Sequence, residues 1–237
     1  MAFQLSDELR CHLDARTDYC GVSDTNHQFL YQNYMFAKTS GFRSQRACEG
    51  KIYEEIPSPI SQCAEIFRSQ ECRVMETQVP IQVFDIHQCY DDQWRAWLGS
   101  TAPFIFRGEV VGTIWGGDDC TSPPMIELAA YLSDRGGCYG SYYVGSAYQP
   151  LALSERQQQI SFLSLRGLSP LQMARVLGQS LAHLQQQRAA LWAYLGVDND
   201  DDFKHRLSEL GYLQWLPTLF LPNTIGNRSK ALFEVCA

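Results

Sequence analysis

Along the first 120 residues the apolar positions switch between a two-residue and a helical period, and each switch falls at a turn-forming cluster. Tyr19 to Val22 reads as a short strand, SDTN as a turn and FLYQN as a second strand, followed by an amphipathic helical stretch ending at Gly41. Pro57, Ser58 and Pro59 break the chain. Beyond them Ile60, Cys63, Ile66 and Phe67 recur at helical spacing in ISQCAEIFRSQECRVMETQ, so one longer helix is expected. From Val79 to Trp115 three strand-like stretches, VPIQVFDIHQC, DQWRAWLGSTAPFIF and VVGTIWGG, are separated by Asp91-Asp92 and by Arg107-Gly108-Glu109. Together these elements describe an α+β domain whose five-stranded antiparallel sheet curves over helices on one face, an arrangement that can enclose a pocket.

After Cys120, SPPMIELAAYLSDRGG starts at a proline pair and ends at paired glycines, the pattern of a connecting helix. GCYGSYYVGSAYQP is compatible with an extended linker or an extra strand. From Leu153 the pattern is helical: four short helices follow Ser154, Ser169-Pro170, Ser180 and the Asp200 to Asp202 run, each a cap or breaker. The expected organisation is a sensor-sized domain at 1–120, a connecting helix and linker at 121–150, and a helical domain with a C-terminal extension at 151–237.

Composition narrows the possibilities. The chain has 237 residues, 45% hydrophobic and only 19% charged, which favours globular domains over disorder. No apolar run approaches the roughly 18 to 20 residues that span a bilayer, and the first residues lack the basic start and apolar core of a signal peptide, so a cytoplasmic protein without membrane attachment is expected. The 9 cysteines are scattered without a CxxC and the 5 histidines are dispersed, which argues against a metal site. His87 lies two residues from Asp85 on one strand face, where a hydrogen bond between them is easy, but no nucleophile motif or phosphate loop accompanies them. No catalytic residue and no enzyme activity are expected. The net charge of -7 opposes nucleic acid binding when taken alone, yet it is uneven. Residues 151–237 carry 8 Lys/Arg against 7 Asp/Glu, a net of +1, and the first 150 carry 11 against 19, a net of -8.

Leu153, Ser154, Arg156, Ile160, Leu163, Gly167, Ala174, Leu177, Ser180, Leu184 and Leu195-Gly196-Val197 follow one another in the order and spacing of LuxR-type DNA-binding domains, which this stretch resembles. The resemblance implies a helix-turn-helix in which Leu171 to Leu177 brace and Leu181 to Tyr194 enter the major groove. Ser180, His183, Gln185, Gln186, Gln187 and Arg188 are then the candidate DNA-contacting residues. Glutamine suits adenine edges, and Arg188 suits a phosphate or guanine. Because the stretch is poor in cations, a second use of the same scaffold, contact with a protein regulator or antagonist, stays open.

Upstream, EEIPSPISQCAEIF, VFDIHQCYDDQWRAW and GEVVGTIWGGDD resemble the PAS domain of the VqmA group of quorum-sensing regulators. The resemblance implies a cytoplasmic homodimeric transcription factor whose PAS cavity takes a small hydroxypyrazine autoinducer, with no other cofactor. A flat, mildly polar ligand calls for aromatic faces and a few hydrogen-bonding groups, and Phe36, Phe67, Phe84, Ile86, Leu98, Ser100 and Trp115 are the candidates. Each aromatic taken singly is more often ordinary core in an α+β domain, but some of them must face the cavity if there is one. Leu98 and Ser100 stand where the group carries an aromatic residue and a lysine. Cys48, Cys63 and Cys138 coincide with cysteines of the group and are candidates for a redox role, with buried thiols acting as small hydrophobes as the alternative.

Overall fold

The computed structural model describes residues 5–121, 140–144 and 150–220. These fall into two compact units, the first holding 5–121 with 140–141 and the second 142–144 with 150–220.

The first unit opens with α1 (Asp7–Asp14), where the Ser6 side chain accepts from Leu9 N–H and Asp7 and Glu8 complement the helix start. This short helix, not anticipated from the sequence, buries Leu13 against Leu5, Cys20, Val22 and Tyr31. β1 (Tyr19–Asp24) and β2 (Phe29–Gln32) form the expected hairpin, and α2 (Tyr34–Ser40) runs from an Asn33 cap to Gly41 in the left-handed conformation. The helix expected from Ile60 starts as a 3-10 turn at Pro59–Cys63 and becomes α3 (Ala64–Thr77). β3 (Ile81–Gln88), β4 (Trp94–Phe106) and β5 (Glu109–Asp119) complete an antiparallel sheet in the order β2-β1-β5-β4-β3. The outer strands of the sequence are thereby brought together: β1 lies beside β5, Gly21 facing Trp115, and β3 lies beside β4, Asp85 facing Trp97. Phe29, Ala37, Cys48, Tyr53, Ile56, Ile60 and Ala64 pack into one buried cluster of this unit.

The second unit contains α4 (Glu155–Leu165), α5 (Pro170–Leu177), α6 (Leu181–Leu195) and α7 (Asp200–Glu209). Ser154 with Gln157 and Ser169 with Gln172 make reciprocal capping boxes, each satisfying two backbone donors that a helix start leaves open. Gly178 ends α5 with φ 63°, a left-handed turn that glycine adopts without steric cost, and Ser180 caps α6 two residues later. Ile160, Leu163, Met173, Leu177, Leu184, Leu191, Phe203 and Leu207 form the buried apolar faces.

Two strands go beyond the expectation of five strands followed by a purely helical domain. β6 (Ser141–Val144) pairs in parallel with β7 (Trp215–Leu216), Tyr143 facing Trp215 and Val144 facing Leu216. The described strands thus number seven, and the second unit is not all-α. β6 sits in the Gly/Tyr/Ser-rich stretch whose reading was open, and a strand of two residues is too short to show a period. The connecting helix expected at 122–137 lies outside the described residues. Among the described residues no helix is long and apolar enough to cross a membrane.

Candidate functional site

In the first unit, α2, α3, the turn around Tyr53 and one face of β1, β3, β4 and β5 enclose a cavity of about 100 Å³. That is room for one small ring with a few substituents. Its walls are aromatic: Phe36 meets Trp115 edge to face at 4.9 Å, Phe67 meets His87 at 5.4 Å, and Tyr19 meets Trp97 at 5.1 Å. Gly99, Gly116 and Gly117 line the sheet side, where backbone runs too close for a side chain: a Cβ on Gly116 would lie 2.9 Å from Tyr19 O and one on Gly117 2.9 Å from Gly99 Cα.

Polar groups around the cavity divide into satisfied and unsatisfied sets. Glu71 is buried but accepts from Tyr53 OH at 2.8 Å and from Thr113 Oγ1 at 2.7 Å, and its second oxygen meets His27 Nδ1 at 2.6 Å. Burial and the adjoining Glu71 carboxylate keep the Tyr53 hydroxyl protonated. Gln70 donates to Ser141 Oγ at 2.7 Å, and Ser141 is in turn hydrogen-bonded to the Asp85 carboxyl. Asp85 Oδ1, His87 Nε2, Trp97 Nε1 and Ser40 Oγ are buried without a hydrogen-bond partner among the described residues, and all four residues line the cavity. Unpaired buried polar atoms cost roughly 1 to 3 kcal/mol each, so these four residues leave a hydrogen-bonding demand close to the cavity that ordered water or a polar ligand would meet. Burial raises the Asp85 carboxyl to about 7, opposed by the Ser141 hydrogen bond, and lowers the His87 imidazole to about 3, so His87 is neutral.

Four of the seven candidates chosen from the sequence, Phe36, Phe67, Ser100 and Trp115, line this cavity. Phe84, Ile86 and Leu98 do not. Strand alternation explains the difference: Val83, Asp85 and His87 face the cavity, so Phe84 and Ile86 take the opposite face of β3, and Trp97 faces it where the neighbouring Leu98 does not. Asp85, His87 and Trp97 were thus the cavity residues that the sequence reasoning left out of the ligand set. Asp85 and His87 are not bonded to one another; the imidazole Nδ1 meets Cys63 Sγ at 3.5 Å.

Cys63 and Cys48 carry buried thiols, which burial pushes up to about 12 in each case. Such thiols are protonated and slow to react. Cys138 lies outside the described residues. Among the described residues no group of three or more His, Cys, Asp or Glu is placed to hold a metal ion.

On the second unit, α6 projects an exposed face that includes His183, Gln185 and Gln186, with Gln187 half-buried and Ser180 engaged as the cap. Arg188 is placed otherwise. It is only 8% exposed, pairs with Asp200 of the next helix and lies over the Trp192 ring at 5.1 Å. The guanidinium expected on the reading face is therefore an internal brace between α6 and α7. Arg175 on α5 is the exposed cation of the helix pair.

The model of the PAS fold matches residues 13–123. Residues 13–123 adopt the PAS fold. Every residue that lines the cavity lies within this stretch. Across 92% of this chain and 93% of the other, the protein is similar to the Vibrio cholerae VqmA dimer, a LuxR-type receptor solved without its target DNA, with 28% identity and a TM-score of 0.50. The Vibrio cholerae VqmA–ligand–DNA complex is similar at 26% identity and a TM-score of 0.47, over 92% of this chain and 93% of that one. A phage VqmA bound to DPO gives 23% identity and a TM-score of 0.48, over 89% of each chain. No curated protein matches the chain by sequence. The resemblance to the VqmA group read from the sequence is borne out.

Proposed function

We propose that this chain is a ligand-responsive transcription regulator and not an enzyme: a PAS sensor at 1–120, a connection at 121–150 and a LuxR-type helix-turn-helix domain at 151–237. The sensor takes a hydroxypyrazine-type autoinducer, and a cytoplasmic homodimer binds DNA. The observation that carries this reading is the aromatic cavity of the PAS domain, in a chain whose second unit holds two capped helices, α5 and α6, joined by a short turn at Gly178. Phe36, Phe67 and Trp115 supply the stacking faces, and Ser100 a hydroxyl. Ser180, His183, Gln185, Gln186 and Gln187 supply the DNA surface. Similarity to the VqmA dimer, a LuxR-type receptor with a DNA target, supports the DNA-binding and dimeric parts of the reading.

By linkage, a ligand alters DNA affinity only if it binds the DNA-competent arrangement more tightly than the other. Titrating a hydroxypyrazine into the full chain, with and without DNA carrying a two-fold symmetric site, tests this. Saturable binding of one ligand per protomer and a ligand-dependent change in DNA affinity of at least about fivefold are expected. Absence of ligand binding, or DNA affinity indifferent to ligand, defeats the proposal.

The burial of Arg188 favours a second reading, in which the uncharged face of α6 contacts a protein regulator or antagonist. Electrostatic help is greatest at low salt, so a failure to bind any DNA at about 50 mM salt while the ligand still binds selects this reading.

A further inference from the structure

Cys72 lies within α3 with its side chain exposed, and His27 approaches it from the turn between β1 and β2. His27 Nε2 is 3.5 Å from Cys72 Sγ, and Nδ1 of the same ring is 2.6 Å from Glu71 Oε2. The other oxygen of Glu71 accepts from the Tyr53 and Thr113 hydroxyls at 2.8 and 2.7 Å. Thiol, imidazole and carboxylate thus form one chain running inward from solvent: the His27 side chain is 15% exposed and that of Glu71 only 2%. The turn holds the ring in place. Asp24 Oδ1 accepts from the backbone N–H of Asn26 and Gln28, Asp24 O accepts from His27 N–H, and His27 keeps a left-handed φ of 63°.

The order of the three groups matters chemically. With Nδ1–H donated to Glu71, the basic nitrogen of the ring is Nε2, which faces the thiol. Nucleophile, base and orienting group stand in the sequence that activates a cysteine. Among the described residues Cys11 on α1 is also exposed, but its thiol makes no hydrogen bond to a histidine or carboxylate, and Cys20, Cys48, Cys63 and Cys89 are buried.

We infer that Cys72 is a nucleophilic thiol, with His27 as its base and Glu71 as a positioning residue, and that it is a modification site for low-molecular-weight disulfides. The Cys72 sulfur attacks one sulfur of the reagent, and a new S–S bond forms as the reagent's own S–S bond breaks. The thiol proton passes to His27 Nε2 and from there to the departing thiolate, which leaves as a thiol. Cys72 is oxidised to a mixed disulfide while the leaving sulfur is reduced, so the reagent is the only oxidant required. Acyl transfer fits the setting less well, because its oxyanion calls for free backbone N–H donors and those around Cys72 are engaged inside α3. Disulfide exchange passes through no oxyanion. The PAS domain thereby gains a chemical input at its surface.

Incubating the full chain with glutathione disulfide and following each cysteine by peptide mass mapping tests this. Cys72 should be thiolated at least about tenfold faster than Cys11. His27→Asn removes the base with a residue that tolerates the left-handed turn, and should slow Cys72 by about tenfold or more while leaving Cys11 unchanged. Glu71→Gln withdraws the charge that steadies the imidazolium and should lower the ratio of the Cys72 to the Cys11 rate by a similar factor. A merely structural Glu71 would alter unfolding and leave that ratio as it is. Wild-type rates at Cys72 and Cys11 within about threefold of each other, or a wild-type ratio preserved in His27→Asn, would overturn the inference, and the His27 variant decides it should the Glu71 variant fail to fold.

Discussion

Burial moves the two ionisable side chains of β3 in opposite directions, and their effects on stability oppose each other. The unfolded Asp85 ionises near 3.8 and the native one near about 7, so between those values the native state holds an extra proton and loses stability as pH rises. The unfolded His87 protonates below 6.5 and the native one only near about 3, so over that range stability is lost as pH falls. Each slope is at most about 1.4 kcal/mol per pH unit, and between about 4 and 6.5 they cancel. Tyr53, Cys63 and Cys120, with their raised values, stay neutral throughout, and Glu71 keeps the same three donors in each variant. Urea unfolding of the PAS domain across this range should therefore be nearly flat for the wild type. His87→Gln should make stability fall toward pH 7, and Asp85→Asn should make it fall toward pH 4. Two variants with the same flat curve would show that neither group is shifted by burial. The sequence marked this strand as carrying the site but assigned its faces one residue out of step. Asp85 and His87 look inward and Phe84 and Ile86 outward, because polar atoms on the inner face serve a cavity and not a dry core.

At the scale of elements, the second unit was legible where local chemistry decides the fold. Ser154 and Gln157, Ser169 and Gln172, Gly178 and Ser180 each set a helix boundary through contacts within four residues. What depends on distant partners was not legible. α1 relies on packing with β1 and β2, and β6 relies on a two-residue strand some seventy positions later. Arg188 belongs to the same class, since the Asp200 that claims it comes from the following helix. Its role changes what substitution should do. Arg188→Met keeps much of the stem but removes the pairing with Asp200, leaving that carboxylate with Lys204 alone at 2.7 Å. Denaturation should register a loss of about 1 to 3 kcal/mol in the second unit. Gln186→Ala, on the exposed face, should leave stability within about 0.5 kcal/mol and weaken DNA binding selectively at sites with adenine in the contacted position. Equal stability of the Arg188 variant, with DNA binding lost, would return the guanidinium to the reading face.

For the whole molecule, the division of charge would set the terms on which the proposed regulator binds DNA. The first 150 residues carry a net -8 and the remainder +1, so the proposed dimer would approach a polyanion with an acidic sensor and a nearly neutral helical domain. α6 offers uncharged Gln185 and Gln186, Arg188 is turned inward, and Arg206 is engaged with Glu209, which leaves Arg175 as the main exposed guanidinium near the proposed reading helix among the described residues. One or two phosphates neutralised per protomer give about two to four for a dimer, and the slope of log K against log salt should then be no steeper than about -4. Anisotropy titrations between about 50 and 200 mM salt measure it directly. A shallow slope has a consequence for regulation. Non-specific binding, which is almost wholly electrostatic, is then weak, so discrimination between operator and bulk DNA rests on base contacts and on the arrangement of the two helix-turn-helix units. Ligand coupling of about 1 to 3 kcal/mol, a small correction for a strongly basic regulator, would here be a large share of the usable affinity. A slope of -8 or steeper would place the phosphate contacts on cations beyond α5 and α6, such as Arg228 and Lys230, and would make the sensor's influence on occupancy correspondingly small.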